Sequence, residues 1–117
     1  MNWDYTADFI VVGSGAGGMT AAVVAAEHGA SALVIEKTDT YGGTTALSGG
    51  VVWIPNNDSM KAQGVDDSPE DAFNYLSEVV GPDVPEAKIR AYVKHAPAMI
   101  RYMEQISPVG FTAATRY

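Results

Sequence analysis

The chain has 117 residues, 47% of them hydrophobic, and a net charge of -7 from 7 basic and 14 acidic side chains. Such a composition belongs to a globular chain, and its acidity gives no electrostatic ground for binding nucleic acid or an anionic membrane surface. The absence of cysteine excludes disulfides, Cys-ligated zinc, iron–sulfur clusters and a thiol nucleophile, and His28 and His95 stand too far apart in sequence to suggest a multi-histidine metal site.

Residues 1–8 carry Asp4 and Asp8 and no Lys or Arg, so the basic start of a signal peptide is missing. Residues 9–26 carry no charge and approach the length of a membrane span. The alternative is a buried strand followed by an Ala-rich helix. Gly13, Gly15, Gly17 and Gly18 favour the second, because each glycine costs a continuous helix ~1 kcal/mol relative to Ala. The expectation is a chain with no membrane span, residing in the cytoplasm.

Residues 7–12 (ADFIVV) form a short apolar run rich in β-branched side chains, which suits a strand buried on both faces. The glycines at 13–18 break it. Residues 19–28 then read as a helix, with Gly29 placed to take positive φ at its end. A second apolar run, 31–35 (SALVI), ends at Glu36. Strand, glycine turn, helix and strand make a βαβ unit with parallel strands.

The stretch 38–57 is rich in Gly, Thr and Ser and reads as a loop or short helical turn, then an extended segment stopped by Pro55. Residues 61–67 read as a polar connector. Ser68-Pro69-Glu70-Asp71 is a helix start: an N-cap, a proline in the first turn and acids against the positive end of the dipole. Apolar residues at Ala72, Phe73, Leu76, Val79 and Val80 give that helix one greasy stripe, ended by Gly81-Pro82. A further stripe at Ile89, Val93, Ala96, Ile100 and Met103 contains Pro97, where a kink or the meeting of two helices is expected.

Gly13-Ser14-Gly15-Ala16-Gly17-Gly18 satisfies G-x-G-x-x-G between a strand and a helix, which is the context the motif requires. Gly13 permits the tight turn, Gly15 lets a pyrophosphate approach the backbone, and Gly18 lets the helix pack close to the strand. The pyrophosphate then meets free N–H groups at a helix N-terminus. Glu36 closes the second strand where a dinucleotide fold places its ribose-binding acid, and its charge would repel a 2′-phosphate. The bland alternative is a glycine turn with a solvent-facing Glu36.

A plain NAD domain would continue into another helix and strand. Here Glu36-Lys37 is followed by Gly42-Gly43-Thr44-Thr45-Ala46 and by Ser48-Gly49-Gly50. Glycines and small hydroxyls there let the backbone press on a ligand while offering N–H and O–H donors. These residues resemble the flavoproteins of the fumarate reductase and succinate dehydrogenase type, which points to FAD as the cofactor; a flexible linker is the alternative. Within that superfamily the chain resembles the 3-ketosteroid Δ1-dehydrogenases. The likeness runs over nearly the whole chain, through 8–18, 36–39, 42–50, the W-x-P element Trp53-Ile54-Pro55, Tyr75-Leu76 with Gly81, and Ala91-Tyr92-Val93 with Ala96-Pro97.

The resemblance implies a two-domain enzyme several times longer than this chain. In such enzymes FAD accepts a hydride from C1 of a 3-ketosteroid, a tyrosine removes the C2 proton, and donors stabilise the enolate. It places the catalytic tyrosine beyond residue 117, with Tyr117 resembling the first aromatic of that segment. No catalytic residue is therefore expected within the chain. It reads as an α/β fragment: an incomplete, Rossmann-like βαβ FAD-binding unit and glycine-rich flavin loop over 1–57, and appended helices over 58–117 leading towards a substrate domain. The few strands and unpaired helix stripes point the same way, because a parallel sheet needs both faces covered. The implied partner is a small steroid-like substrate. A fumarate- or urocanate-type reductase and a non-catalytic nucleotide-binding module are the competing readings.

Among the other side chains, Tyr75 and Tyr92 read as packing residues on helix stripes, while Trp53 is open between packing and the flavin side. His28 and His95 read as surface or capping residues near helix ends. The acids between 58 and 86 read as a solvated face, because their spacing matches no calcium loop.

Overall fold

The computed structural model describes residues 2–114. The chain divides into two compact units, Met1–Val52 and Trp53–Tyr117.

The first unit is built on β1 (Phe9–Val12), α1 (Ala16–Glu27) and β2 (Ala32–Ile35). The strands pair in parallel, Phe9 with Ala32 through Val12 with Ile35. Asp8 and Ser31 tie the strand starts together: Asp8 Oδ2 accepts from the Ser31 N–H at 2.9 Å and from its hydroxyl at 2.6 Å. The Asp8 N–H donates back to Ser31 Oγ at 3.0 Å. These bonds hold the Asp8 carboxyl below its usual range. Ala and Val make α1, which begins three residues earlier than the apolar pattern suggests, because its glycines at 17 and 18 are helical. Gly29, at φ +80°, ends it: its N–H donates to the Ala26 carbonyl and that of Ala30 to Ala25. His28 is the C-cap residue, with Nδ1 donating to the Val24 carbonyl at 2.9 Å.

The strand β1 is not buried on both faces as its composition suggests. Val11 is buried, whereas Phe9, Ile10 and Val12 are 43%, 57% and 82% exposed. With two strands and one packed helix, only the face under α1 is covered. The unit closes with a short helix α2 (Gly43–Ala46), entered through Gly42 at φ +105°.

In the second unit, α3 (Asp58–Ala62) follows the segment stopped by Pro55 and takes the first two residues of the expected polar connector. Its signal is local: the Asn57 side chain accepts from the Met60 N–H at 2.9 Å and donates to the Ile54 carbonyl at 2.8 Å. The helix α4 (Pro69–Val80) starts as expected, with Ser68 Oγ accepting from the Asp71 N–H at 3.0 Å and Gly81 ending it.

The last helix, α5 (Glu86–Ile106), runs unbroken through Pro97, so two helices do not meet there. The proline removes the bond to the Val93 carbonyl, a cost of ~3 kcal/mol. Keeping Ile89, Val93 and Ala96 buried on one continuous face offsets it, at ~1.5–3 kcal/mol for each large side chain. Several acids of this unit stand exposed, as expected, and also make surface pairs. Glu86 and Glu70 flank Arg90, which also lies 3.7 Å over the Phe73 ring, and Asp58 pairs with Arg101 at 3.0 Å. Asp67 accepts the Asn56 N–H at 2.7 Å.

Candidate cofactor site

Strand β1 ends at Val12, and the Gly13 N–H donates to the Ile35 carbonyl at 2.7 Å. The chain then reverses through Gly13, at φ +93°, a conformation that favours glycine. Gly15 is the extended N-cap of α1, without a side chain to cap the helix, and no acid occupies the first turn. The Ala16 N–H is taken by Thr45 Oγ1 at 3.1 Å. The N–H groups of Gly17 and Gly18 have no acceptor among the described residues. The positive end of a 12-residue helix is thus left with open donors and no anion of its own.

Ser14 is 3% exposed and binds in three directions. Its N–H and hydroxyl both donate to Glu36 Oε2, at 3.0 and 2.6 Å, and its oxygen accepts the Gly42 N–H at 2.8 Å. Glu36 Oε1 accepts the N–H groups of Lys37 at 2.8 Å and Thr38 at 3.2 Å. The Ser14 bonds, followed by that from Thr38, lower the Glu36 pKa from the usual 4.5 to about 2, so the group is a carboxylate at any physiological pH. Glu36 is therefore not a free solvent-facing acid: it holds the glycine turn.

The structure brings residues 13–18, Glu36, Lys37 and 42–46 together. Gly43 comes close enough to Gly15 that a Cβ on it would stand 3.6 Å from the Gly15 Cα. A Cβ on Gly42 would lie 2.6 Å from that of Ala46. Lys37 contributes its backbone N–H while its side chain is exposed, as is Thr44. Ser48, Gly49 and Gly50 are exposed and tied only locally: the Ser48 hydroxyl donates to the Thr45 carbonyl at 2.8 Å and accepts the Gly50 N–H at 3.1 Å. Thr38 escaped the sequence reading, since a lone Thr after an E-K pair carries no spacing signal. Its hydroxyl donates to the Thr40 carbonyl at 2.7 Å, which shapes the exit from β2.

These residues fit the ADP half of a flavin dinucleotide. Open helix N–H groups suit a pyrophosphate, a fixed carboxylate suits ribose hydroxyls, and side-chain-free glycines leave room for both.

In the second unit, Trp53 packs between two tyrosines. Its ring stacks on Tyr92 at 6.4 Å with 6° between planes and leans on Tyr75 at 5.5 Å. The Tyr92 hydroxyl donates to the Trp53 carbonyl. Partial burial raises the Tyr92 pKa, so it is no ready base. His95 is exposed. Among the described residues no cluster of His, Asp or Glu could hold a metal ion, and no helix is long and apolar enough to cross a membrane. Tyr117 lies outside the described residues.

Comparison with known proteins sets this site in a family. The family described as "FAD binding domain" matches residues 8–116, and the chain belongs to it; its cofactor is FAD. A 3-oxosteroid 1-dehydrogenase of Mycolicibacterium smegmatis is 49% identical over 102 residues, which is 87% of this chain and 18% of that protein. The crystal structure of a 3-ketosteroid Δ1-dehydrogenase from Sterolibacterium denitrificans, in complex with 1,4-androstadiene-3,17-dione, superposes with a TM-score of 0.76. It is 48% identical and shares 85% of this chain and 17% of its own. A 3-ketosteroid-Δ4-(5α)-dehydrogenase from Rhodococcus jostii, solved with 4-androstene-3,17-dione, gives a TM-score of 0.81 at 37% identity, over 90% of this chain and 22% of its own. A urocanate reductase of Eggerthella lenta matches less, 46% identical over 63 residues, 54% of this chain and 10% of that protein. The chain spans about a fifth of the length of the dehydrogenases it matches.

Proposed function

We propose that the chain supplies the ADP-binding part of the FAD site in a flavin-dependent 3-oxosteroid dehydrogenase, of the 1-dehydrogenase type. The observation that carries this reading is the pairing of open α1 N–H groups with a Glu36 carboxylate fixed on the same glycine turn. The βαβ unit is the start of a Rossmann-like sheet. Residues 13–18, Glu36, Lys37, 42–46 and 48–50 hold the cofactor. The compact units divide after Val52; the functional division we propose, 1–57 and 58–117, keeps the W-x-P element with the glycine-rich loop it follows, and leaves the helices to lead towards the substrate domain. FAD, when bound, supplies the hydride acceptor. The substrate class is a steroid-like 3-ketone, the setting is the cytoplasm, and no residue of this chain takes a proton from substrate.

The test has two arms. FAD is titrated into the chain by calorimetry, with NAD and NADP as competitors; FAD is expected to bind more tightly than NAD, which shares only its ADP half, and NADP least, because Glu36 repels its 2′-phosphate. The corresponding segment of the M. smegmatis dehydrogenase is then replaced by this chain. The chimera is expected to bind FAD and to dehydrogenate a 3-oxosteroid. A chain that prefers NAD, or a folded, FAD-loaded chimera inert towards 3-oxosteroids, overturns the reading.

A further inference from the structure

Within G-x-G-x-x-G the non-glycine positions are ordinarily free to vary, yet Ser14 is the most buried polar residue described in the chain, at 3% exposure. A hydroxyl has one proton to give and lone pairs to receive. Ser14 gives its proton to Glu36 Oε2 at 2.6 Å and receives the Gly42 N–H at 2.8 Å. No other side chain described joins the β1–α1 turn, the end of β2 and the entry to α2. At this burial, water does not readily replace a lost partner, so removing the hydroxyl strands the Gly42 N–H and takes from Glu36 Oε2 the shorter of its two bonds, leaving only that from the Ser14 N–H.

The two Glu36 oxygens are also made unequal. Oε2 accepts twice from Ser14. Oε1 accepts from the Lys37 N–H at 2.8 Å, and more weakly from the Thr38 N–H at 3.2 Å. The Thr38 hydroxyl stands 3.3 Å from Oε1 but has a single proton, which goes to the Thr40 carbonyl at 2.7 Å. Oε1 is therefore the oxygen with capacity to exchange a donor for a ligand hydroxyl.

We propose that Ser14 is a positioning residue for FAD: its hydroxyl pins Glu36 Oε2 and the Gly42–Ala46 turn together, turning Oε1 towards the adenosine ribose and coupling the ribose acid to the glycine-rich loop. The proposal rests on the FAD reading above.

A double-mutant cycle tests it, with FAD affinity measured by titration into the cofactor-free form of the chimera described above. Ser14→Ala is expected to weaken FAD binding about tenfold in the native background, the loss of one charge-assisted bond, and less than twofold when Glu36 is already Gln. Ser14→Thr, which keeps the hydroxyl, is expected to recover most of the affinity. The deficit of Ser14→Ala is also expected to widen between pH 7 and pH 4, as Glu36 loses its strongest donor and begins to protonate. Additive losses in the cycle, or an affinity unchanged by Ser14→Ala, overturn the proposal. Where circular dichroism finds Ser14→Ala unfolded, Ser14→Cys takes its place in the same cycle, with the same coupling expected and additivity again overturning it. Failure of the unsubstituted chimera to bind FAD refutes the function itself and is read before any variant.

Discussion

A methyl group on Gly18 would stand 2.2 Å from the Gly13 carbonyl oxygen and 2.9 Å from Val11 Cγ1. The contact is with backbone and with a buried strand residue, neither of which can swing aside. Gly18 is thus where α1 presses on β1, whereas Gly17, one residue earlier, has open space around its own Cβ position. Gly18→Ala is expected to destabilise the chain by about 1–3 kcal/mol, through forced separation of helix and strand. Gly17→Ala is expected to leave stability unchanged or raise it by up to ~1 kcal/mol, since it restores helix propensity. Urea unfolding of the two variants checks the contrast; equal losses would remove the packing role from Gly18.

In the proposed function Glu36 is the acid that meets the adenosine ribose. Glu36→Gln keeps the size but replaces charge-assisted bonds by neutral ones and, whichever way the amide turns, sets its NH2 against donors, either those of Ser14 or the N–H groups of Lys37 and Thr38. The expected loss in FAD affinity is roughly tenfold to a hundredfold. Glu36→Asp, too short to span to Ser14, is expected to fall between. Calorimetric titration with FAD gives both values, and an unaltered Glu36→Gln affinity would put the ribose elsewhere.

Much of this site was legible because its determinants are local. Strand, glycines, helix and spaced acid sit within one βαβ unit, and Gly13 and Gly29 take the positive φ their positions ask for. Ser68 caps α4 for the same reason. What escaped depends on partners distant in sequence. Nothing in a single Ser at position 14 announces that its hydroxyl reaches Glu36 and Gly42, and nothing in Asp8 announces Ser31. The stripe through Pro97 left open whether one helix or two would form, and the burial of Ile89, Val93 and Ala96, which outweighs one missing bond, decides for one. The exposure of β1 reflects how few strands flank it, a property of the sheet and not of its four residues.

The second unit offers a test of local capping. Ser68 Oγ accepts the Asp71 N–H at 3.0 Å and donates to its carboxylate at 2.6 Å. Ser68→Ala removes both and leaves an orphan donor in the first turn of α4. The expected cost is about 1 kcal/mol, read as a lowered Tm, with Ser68→Asp recovering most of it. Recovery by Asp separates the cap from any packing role of the serine.

Acid should loosen the first unit progressively below about pH 4.5. Glu36 has a pKa of about 2 in the folded chain against the usual 4.5, lowered first by the Ser14 hydroxyl and then by backbone donors. Asp8 is lowered by Ser31. A carboxyl whose folded pKa is depressed binds protons more readily when unfolded. Its contribution to stability is therefore complete above about pH 4.5 and is lost progressively as pH falls towards 2. Urea midpoints followed by circular dichroism are expected to be flat from pH 7 to 5 and to fall steeply between pH 4.5 and 2. Glu36→Gln removes one titrating group, so its curve should begin lower and fall less over that window. Parallel curves for the two proteins would mean that the Glu36 bonds to Ser14 are not what holds the glycine turn in place.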